Sequence, residues 1–393
     1  MKRLMIVGAS VLQLPAILKA KDMGLYVGVA DFNPKAVGIQ YADEFFNAST
    51  MDEDAILKVA EEFKPDGIMT LATDMPMRGV SKVSDKLHLH SISYETSFKA
   101  TDKYEMIKAF KEYGVPSPWF FVADSLDELK AHESEVTFPC IIKPTDNAGS
   151  HGVAKVYSFL ELLESYEYAH QNSRHGKVIV EEYLDGPEVS VEVMVVDGKV
   201  NILQITDKIT TGAPHFVEMG HTQPSQLLEN TQQKIREVAV AACKSLGLDK
   251  GPAHVEMKVT ERGPVMIELG ARMGGDNITT HLVPLTTGID MVGSTIKVAL
   301  GEEPDIDPTL HCGSAIRYFE VPYGTIKAID GVAEAEKISG VKQIIFTKVV
   351  GEQSTPIECS NDRVGFVIAQ GGTAEEAVSA CEKAMAMIKF RIE

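Results

Sequence analysis

Residues 254–272, HVEMKVTERGPVMIELGAR, alternate apolar and polar side chains on both sides of a short polar break, a pattern that commits this stretch to an antiparallel hairpin. His254 to Thr260 and Pro264 to Leu269 read as the two strands, with Glu261-Arg262-Gly263 as a three-residue loop whose glycine takes the left-handed position. In that register Thr260 faces Pro264, and counting outward sets Glu256 opposite Glu268. Directly opposed residues have Cβ atoms roughly 5 Å apart, so two carboxylates there repel unless one takes a proton or a cation intervenes. Mg2+ is a hard ion held by one or two carboxylates together with substrate phosphates, so the pair points to a metal and a phosphorylated ligand. A solvated hairpin whose glutamates face water fits the same pattern, and the rest of the chain has to decide.

At 393 residues the chain exceeds one ordinary core, which suggests two or three domains. Hydrophobic residues at 44% and charged residues at 24% give the balance of a soluble globular protein. A formal net charge of -18 without a Lys/Arg cluster speaks against a nucleic-acid partner, while local cations still permit a small anionic ligand. The five cysteines are scattered and never in CxxC spacing, as expected of reduced thiols in a cytoplasmic protein. The opening MKRLMIVGASVLQLPAILKAK mimics a secretory leader. It reads better as a buried strand, Arg3 to Ala9, followed by a helix carrying Gln13, Pro15, Lys19 and Lys21. No run approaches the length of apolar residues a membrane span needs, so no membrane partner is expected.

Along residues 1–95 strand and helix alternate: RLMIVGA, a helix to Met23, LYVGVAD, a helix from Asp52 to Phe63, then DGIMTLA. That order predicts a parallel α/β sheet, whose ligands gather at the carboxyl ends of strands, here Ser10, Asp31 and Thr73-Asp74. The first turn lacks the three glycines of a dinucleotide fingerprint, and no Walker A sequence occurs. Thr101-Asp102-Lys103 opens a helix to Tyr113 that Gly114 stops, and a small α+β unit follows to about residue 180. VSVEVMVVDGKVNILQIT is a hairpin turning at Asp197-Gly198; a helix from about Thr231 to Leu246 leads into the two-glutamate hairpin. From about His311 come the strands SAIRYFEV, QIIFTKVV and GFVIAQ and a terminal helix from Ala374 to Ile388.

Two further segments carry chemistry. CIIKPTDNAGSHGVAKV places Lys143 at the end of an apolar strand, before a loop containing Gly149, Ser150 and Gly152 whose backbone amides can gather on a phosphate. VIVEEYLDGPEVSVE runs a strand into Glu182, Tyr183 and Leu184, which can read an adenine edge through backbone groups, and Glu188 can accept from ribose hydroxyls. Each segment is also compatible with an ordinary strand and turn.

In this order, Lys103, the IIKP strand with its glycine-serine loop, EEYLDGPE, and paired glutamates before an arginine, the chain resembles the ATP-grasp superfamily over about residues 1–390. The resemblance implies an ATP-grasp fold of α/β and α+β parts: a Rossmann-like pre-ATP-grasp domain over 1–95, the core over 96–310 with a lid subdomain at about 120–180, and a C-terminal α+β lobe over 311–393. It further implies that Lys103 and Lys143 contact ATP phosphates, that Gly149, Ser150, His151, Gly152 and Val153 form the lid loop, and that Glu181, Glu182, Tyr183 and Leu184 hold adenine. Glu188 then holds ribose, and Glu256 and Glu268 bind Mg2+, with Mn2+ as an alternative ion. Family members commonly carry Asn two residues after the second glutamate, where this chain has Gly270; the metal count is open, with Asp276 or Asn277 as alternative ligands. Arg272 matches the family arginine and shares the face of Glu268 if the strand continues.

HFVEMGHTQPS and ARMGGD are most similar to the amino-acid ligases of that superfamily, which places Glu218, His221 and Arg272 at the reacting end of the site. The implied reaction is ADP-forming ligation of a small carboxylate to an amine through an acyl phosphate, with an amino acid as one substrate and a homodimer as the family expectation. The alternatives are a carboxyphosphate-forming enzyme of the carbamoyl-phosphate-synthase or purine-biosynthesis kind, and a silent nucleotide-binding protein.

Overall fold

A computed structural model describes residues 1–147 and 152–393. The first four strands, β1 (Arg3–Val7), β2 (Tyr26–Asp31), β3 (Glu44–Asn47) and β4 (Gly67–Met69), form a parallel sheet in the order β3-β2-β1-β4. Leu4, Met5, Ile6 and Val7 are all fully buried, as a strand covered on both faces requires. The helix Lys103–Tyr113 begins where expected: Asp102 caps it by accepting from the amides of Tyr104 and Glu105, and Thr101 closes the preceding helix Tyr94–Thr101.

The next unit contains β5 (Phe120–Ala123), β6 (Cys140–Pro144), β7 (Ala154–Val156) and β8 (Val178–Glu182), antiparallel in the order β5-β8-β6-β7. It has its own small core, including Leu129, Ile142, Leu162 and Val180. The following five strands are β9 (Glu188–Val196), β10 (Lys199–Thr210), β11 (Glu218–Gln223), β12 (Gly251–Thr260) and β13 (Gly263–Gly270). After them come β14 (Gly313–Tyr318), β15 (Gly324–Asp330), β16 (Val341–Phe346), β17 (Gln353–Ser354), β18 (Gly365–Gly371) and β19 (Lys389–Ile392). One antiparallel sheet takes most of these in the order β13-β12-β9-β10-β11-β14-β18-β16, so residues 313–371 extend the sheet that carries both hairpins. The remaining three pair as β17-β15-β19.

The β12/β13 turn differs from expectation by one residue. Thr260 pairs with Gly263 rather than Pro264, leaving Glu261-Arg262 as a two-residue turn held by the Arg262 amide donating to Thr260 Oγ1 at 3.1 Å. A bulge between Met257 and Glu256 restores the lost residue, so Glu256 does lie opposite Glu268. The other hairpin turns at Asp197-Gly198 as read, both residues having positive φ (49° and 75°), the backbone a two-residue primed turn demands. The core of the parallel sheet runs straight into the antiparallel one: Met5, Ile68 and Val80 share a buried cluster with Val191, Val255 and Leu269.

Candidate active site

Alternation along β9 and β12 gives their sheet two chemically different faces. Val189, Val191 and Val193 on β9 and Ala253, Val255 and Met257 on β12 are buried toward hydrocarbon, including Ile235 and Ala239 of the helix Glu229–Ser245. The intervening residues point the other way: Glu188, Ser190 and Glu192 on β9, and His254, Glu256 and Lys258 on β12. The register sets His254 beside Glu192, Glu256 beside Ser190 and Lys258 beside Glu188, while β10 brings Lys208 to the other side of Glu188. A grid of charges results.

Its cations lie on its carboxylates. Lys208 Nζ, almost wholly buried, stands 2.8 Å from Glu256, 2.9 Å from Glu188 and 3.6 Å from Glu218. His254 donates one ring nitrogen toward Glu192 at 3.0 Å and the other toward Glu256 Oε1, also at 3.0 Å. Lys103 Nζ is 2.9 Å from Glu268. The expected conflict between the opposed glutamates is therefore resolved by the protein's own cations. Burial pushes the Glu256 carboxyl upward, but Lys208 and His254 outweigh it and hold the group well below the usual range. At Glu268 burial is outweighed mainly by Lys103, and that carboxyl too is lowered. Burial would lower the Lys208 ammonium, yet Glu256, Glu188 and Glu218 hold it well above its ordinary value. His254, buried but between two carboxylates, is raised from 6.5 to about 9. Neither Lys208 nor His254 was singled out in the sequence.

A single cavity of about 790 Å³ collects the residues read from the sequence. Lys103, Lys143, Val153, Glu181, Glu182, Tyr183, Leu184, Glu188, Glu218, His221, Glu256, Glu268 and Arg272 all line it. Gly152 instead packs against Asn172 and Pro144, where a Cβ would come within 2.7 Å of the Asn172 side chain. Gly149, Ser150 and His151 lie outside the described residues. Lys143 and the Glu181 carboxylate are buried together as a close ion pair, and Glu188 is bound by Lys258 (3.1 Å) as well as Lys208. The parallel sheet contributes Gly8, Ser10, Asp31 and Asp74 to the same cavity from its carboxyl ends.

Strand β13 stops at Gly270, so Arg272 does not sit on the strand face expected of it; its side chain reaches the cavity from the loop beyond. Asp74 holds it at 2.8 Å, the Met273 carbonyl accepts from its Nη1 at 3.2 Å, and its buried Nε has no partner among the described residues. Gly270 now has a physical reason. A Cβ there would stand 2.7 Å from Asp74 Oδ1 and 2.8 Å from Arg272 Cζ, so the ion pair occupies the space of a side chain. Asp276, considered above as an extra metal ligand, is committed elsewhere: both its oxygens accept from Arg363 at 2.8 Å. Among the described residues no group of three or more His, Cys, Asp or Glu is arranged to hold a metal ion. Glu256 and Glu268 supply two carboxylates, a set that suits a hard cation completing its shell with phosphate and water.

Residues 136–281 match the ATP-grasp domain family, and residues 317–393 match the L-amino acid ligase C-terminal domain 2. By these matches the chain is similar to the ATP-grasp superfamily and, within it, to the L-amino acid ligase branch. Members of this ligase family form carbon–nitrogen bonds. An uncharacterized protein of Sinorhizobium fredii, y4rH, is 28% identical over 97% of this chain and 78% of its own length. Alanine–anticapsin ligase of Bacillus subtilis is 28% identical over 76% of this chain and 67% of its own. The L-amino acid ligase of Bacillus licheniformis has the same fold, with a TM-score of 0.86 at 23% identity over 100% of this chain and 99% of that one. Phosphoribosylglycinamide synthetase of Anaerococcus prevotii superposes over both chains completely with a TM-score of 0.80, also at 23% identity. Among the described residues no helix is long and apolar enough to cross a membrane.

Proposed function

We propose that this protein joins a small carboxylate to an amine, an amino acid being one substrate, while cleaving ATP to ADP and phosphate. The observation that carries the reading is the convergence of Glu256 and Glu268, opposed across β12 and β13, with Lys103, Lys143, Lys208 and Arg272 in one cavity. Six charges of these kinds suit polyphosphate and metal better than they suit a neutral ligand. The family assignment and the name of the B. subtilis relative support ligation of an amino acid.

In this reading Lys103 and Lys143 receive phosphate oxygens, Glu181 to Leu184 border adenine and Glu188 faces ribose. Mg2+, or Mn2+ in its place, would be held by Glu256 and Glu268 and would neutralise charge on the β and γ oxygens during transfer. Arg272, fixed by Asp74, has its guanidinium for the transferring phosphate or the substrate carboxylate. A carboxylate oxygen attacks the γ phosphorus and the bond to the ADP oxygen breaks. The amine nitrogen then attacks the acyl carbon, phosphate leaves with the electron pair, and the nitrogen loses its proton. Glu218 and His221 lie at that end of the cavity. An acyl phosphate hydrolyses in water, so the unit around β6–β8 has the task of covering the site.

Glu268→Ala tests this. ADP release should fall at least about a hundredfold, the scale of losing a principal electrostatic group, with the circular dichroism spectrum retained. Near-normal turnover would remove the metal role. Arg272→Ala should lower turnover far more than nucleotide affinity; equal losses would leave that arginine a purely structural part.

A further inference from the structure

The loop after Arg272 makes an unusual corner. Asp276 and Asn277 both have positive φ, 51° and 62°, directly before the π-turn at Ile278–Leu282. Two successive non-glycine residues in the left-handed region persist only where their surroundings fix them. Here the fixing comes from the C-terminal part of the chain. Arg363, just before β18, donates both Nη atoms to the two Asp276 oxygens at 2.8 Å, and Tyr318 on β14 donates its hydroxyl to the Asp276 carbonyl at 3.2 Å.

Arg363 is itself held on every side. Its Nε donates to the Ser360 carbonyl and its Nη1 to the Glu218 carbonyl, each at 2.9 Å, and its guanidinium lies 3.8 Å from the centre of the Tyr318 ring. Burial is outweighed by Arg363 and His221 at the Asp276 carboxyl, which is held well below the usual range. The other side of the corner is open: among the described residues no heavy atom beyond the chain neighbours lies within 4 Å of a Cβ built at Gly275, and Gly275 lines the cavity. His221, also lining it, is fully buried with Nδ1 unpartnered among the described residues and Nε2 3.5 Å from Asp276. This end of the cavity is lined by β11, the loop after β13 and the segment before β18, with Tyr318 of β14 behind it, whereas Lys143 and Glu181 to Leu184 come from β6, β8 and the residues that follow.

We propose that Arg363 is a positioning residue whose grip on Asp276 sets the Gly274–Asn277 corner as the wall against which the amino-acid substrate lies. The inference rests on the ligase reading above and adds to it: the C-terminal lobe decides amino-acid binding without touching the nucleotide. Lysine keeps the charge but not the planar fork, so Arg363→Lys and Arg363→Met should fail alike.

Both variants should raise KM for the amino-acid substrates about tenfold, the scale of one lost charged hydrogen bond, while KM for ATP stays within about twofold. Hydrogen exchange of residues 273–282 should quicken in ligand-free Arg363→Met. Parallel rises in both Michaelis constants would mark a merely structural role and overturn the proposal, as would an Arg363→Lys enzyme with unchanged constants. Unchanged exchange overturns the positioning half on its own, whatever the reaction. A wild-type protein silent toward every amino acid overturns the ligase reading, and the substrate half falls with it.

Discussion

His254 has a titration that folding should reveal. Its raised value, from 6.5 to about 9, means that the native state keeps a proton the unfolded chain gives up. Stability is therefore full below pH 6.5 and is lost as pH rises through about 9, by up to about 3 kcal/mol for a shift of this size. Urea unfolding of metal-free protein at pH 6 and pH 9 should show this fall, and His254→Gln should flatten it. An equal slope in both proteins would mean that the proton is not held there. Gly270→Ala addresses a second residue. The added Cβ meets Asp74 at 2.7 Å and Arg272 at 2.8 Å, so turnover should drop about tenfold or more, since small displacements of a reacting constellation are costly. Wild-type turnover in Gly270→Ala would show that the Asp74–Arg272 pair has room to move.

Among the elements, the two hairpins explain what the sequence reveals and what it conceals. The Asp197-Gly198 turn and the alternation on β9 and β12 were legible, because turn chemistry and period-two patterning are local. Bulges are not. Counting outward from Asp197-Gly198 places Asp207 opposite Glu188; a one-residue shift between Ile202 and Gln204 puts Lys208 there instead. In β12/β13 the turn is one residue shorter than read and the bulge beside Met257 compensates, so Glu256 faces Glu268 despite the wrong turn. Charges brought in from distant elements were equally hidden: Asp74 on Arg272 and Arg363 on Asp276 are contacts that no local pattern encodes. The same elements offer a test of the turn that joins β8 to β9. A Cβ on Gly186 would lie 2.1 Å from the Val259 carbonyl oxygen, in a backbone with φ of 130°. Gly186→Ala should cost about 1–3 kcal/mol of stability in chemical denaturation, the scale of a strained backbone position. A change under half a kcal/mol would show that the turn relaxes.

At the scale of the whole molecule, the cavity exists because three layers of different topology meet around one polar sheet face. The parallel sheet presents strand ends, the β5–β8 unit supplies Lys143 and Tyr183, and the long sheet supplies the opposed glutamates. The first two differ in attachment. The parallel sheet shares a buried cluster with β9, β12 and β13, whereas the β5–β8 unit is built around its own core. The parallel sheet of residues 1–95 was readable from strand–helix order and the rest of the fold class from the order of the motifs, but how the layers share a core depends on contacts between residues far apart in sequence. In the proposed reaction this assembled cavity activates a carboxylate with ATP and passes it to an amine. It is tested most directly by incubating wild-type protein with ATP, Mg2+ and pooled L-amino acids, measuring ADP and identifying products by mass. The account predicts amino-acid-dependent ADP formation matched by a product one water lighter than its two substrates. ATP cleavage stimulated by bicarbonate but indifferent to amino acids, or bound ATP that no amino acid turns over, would contradict it.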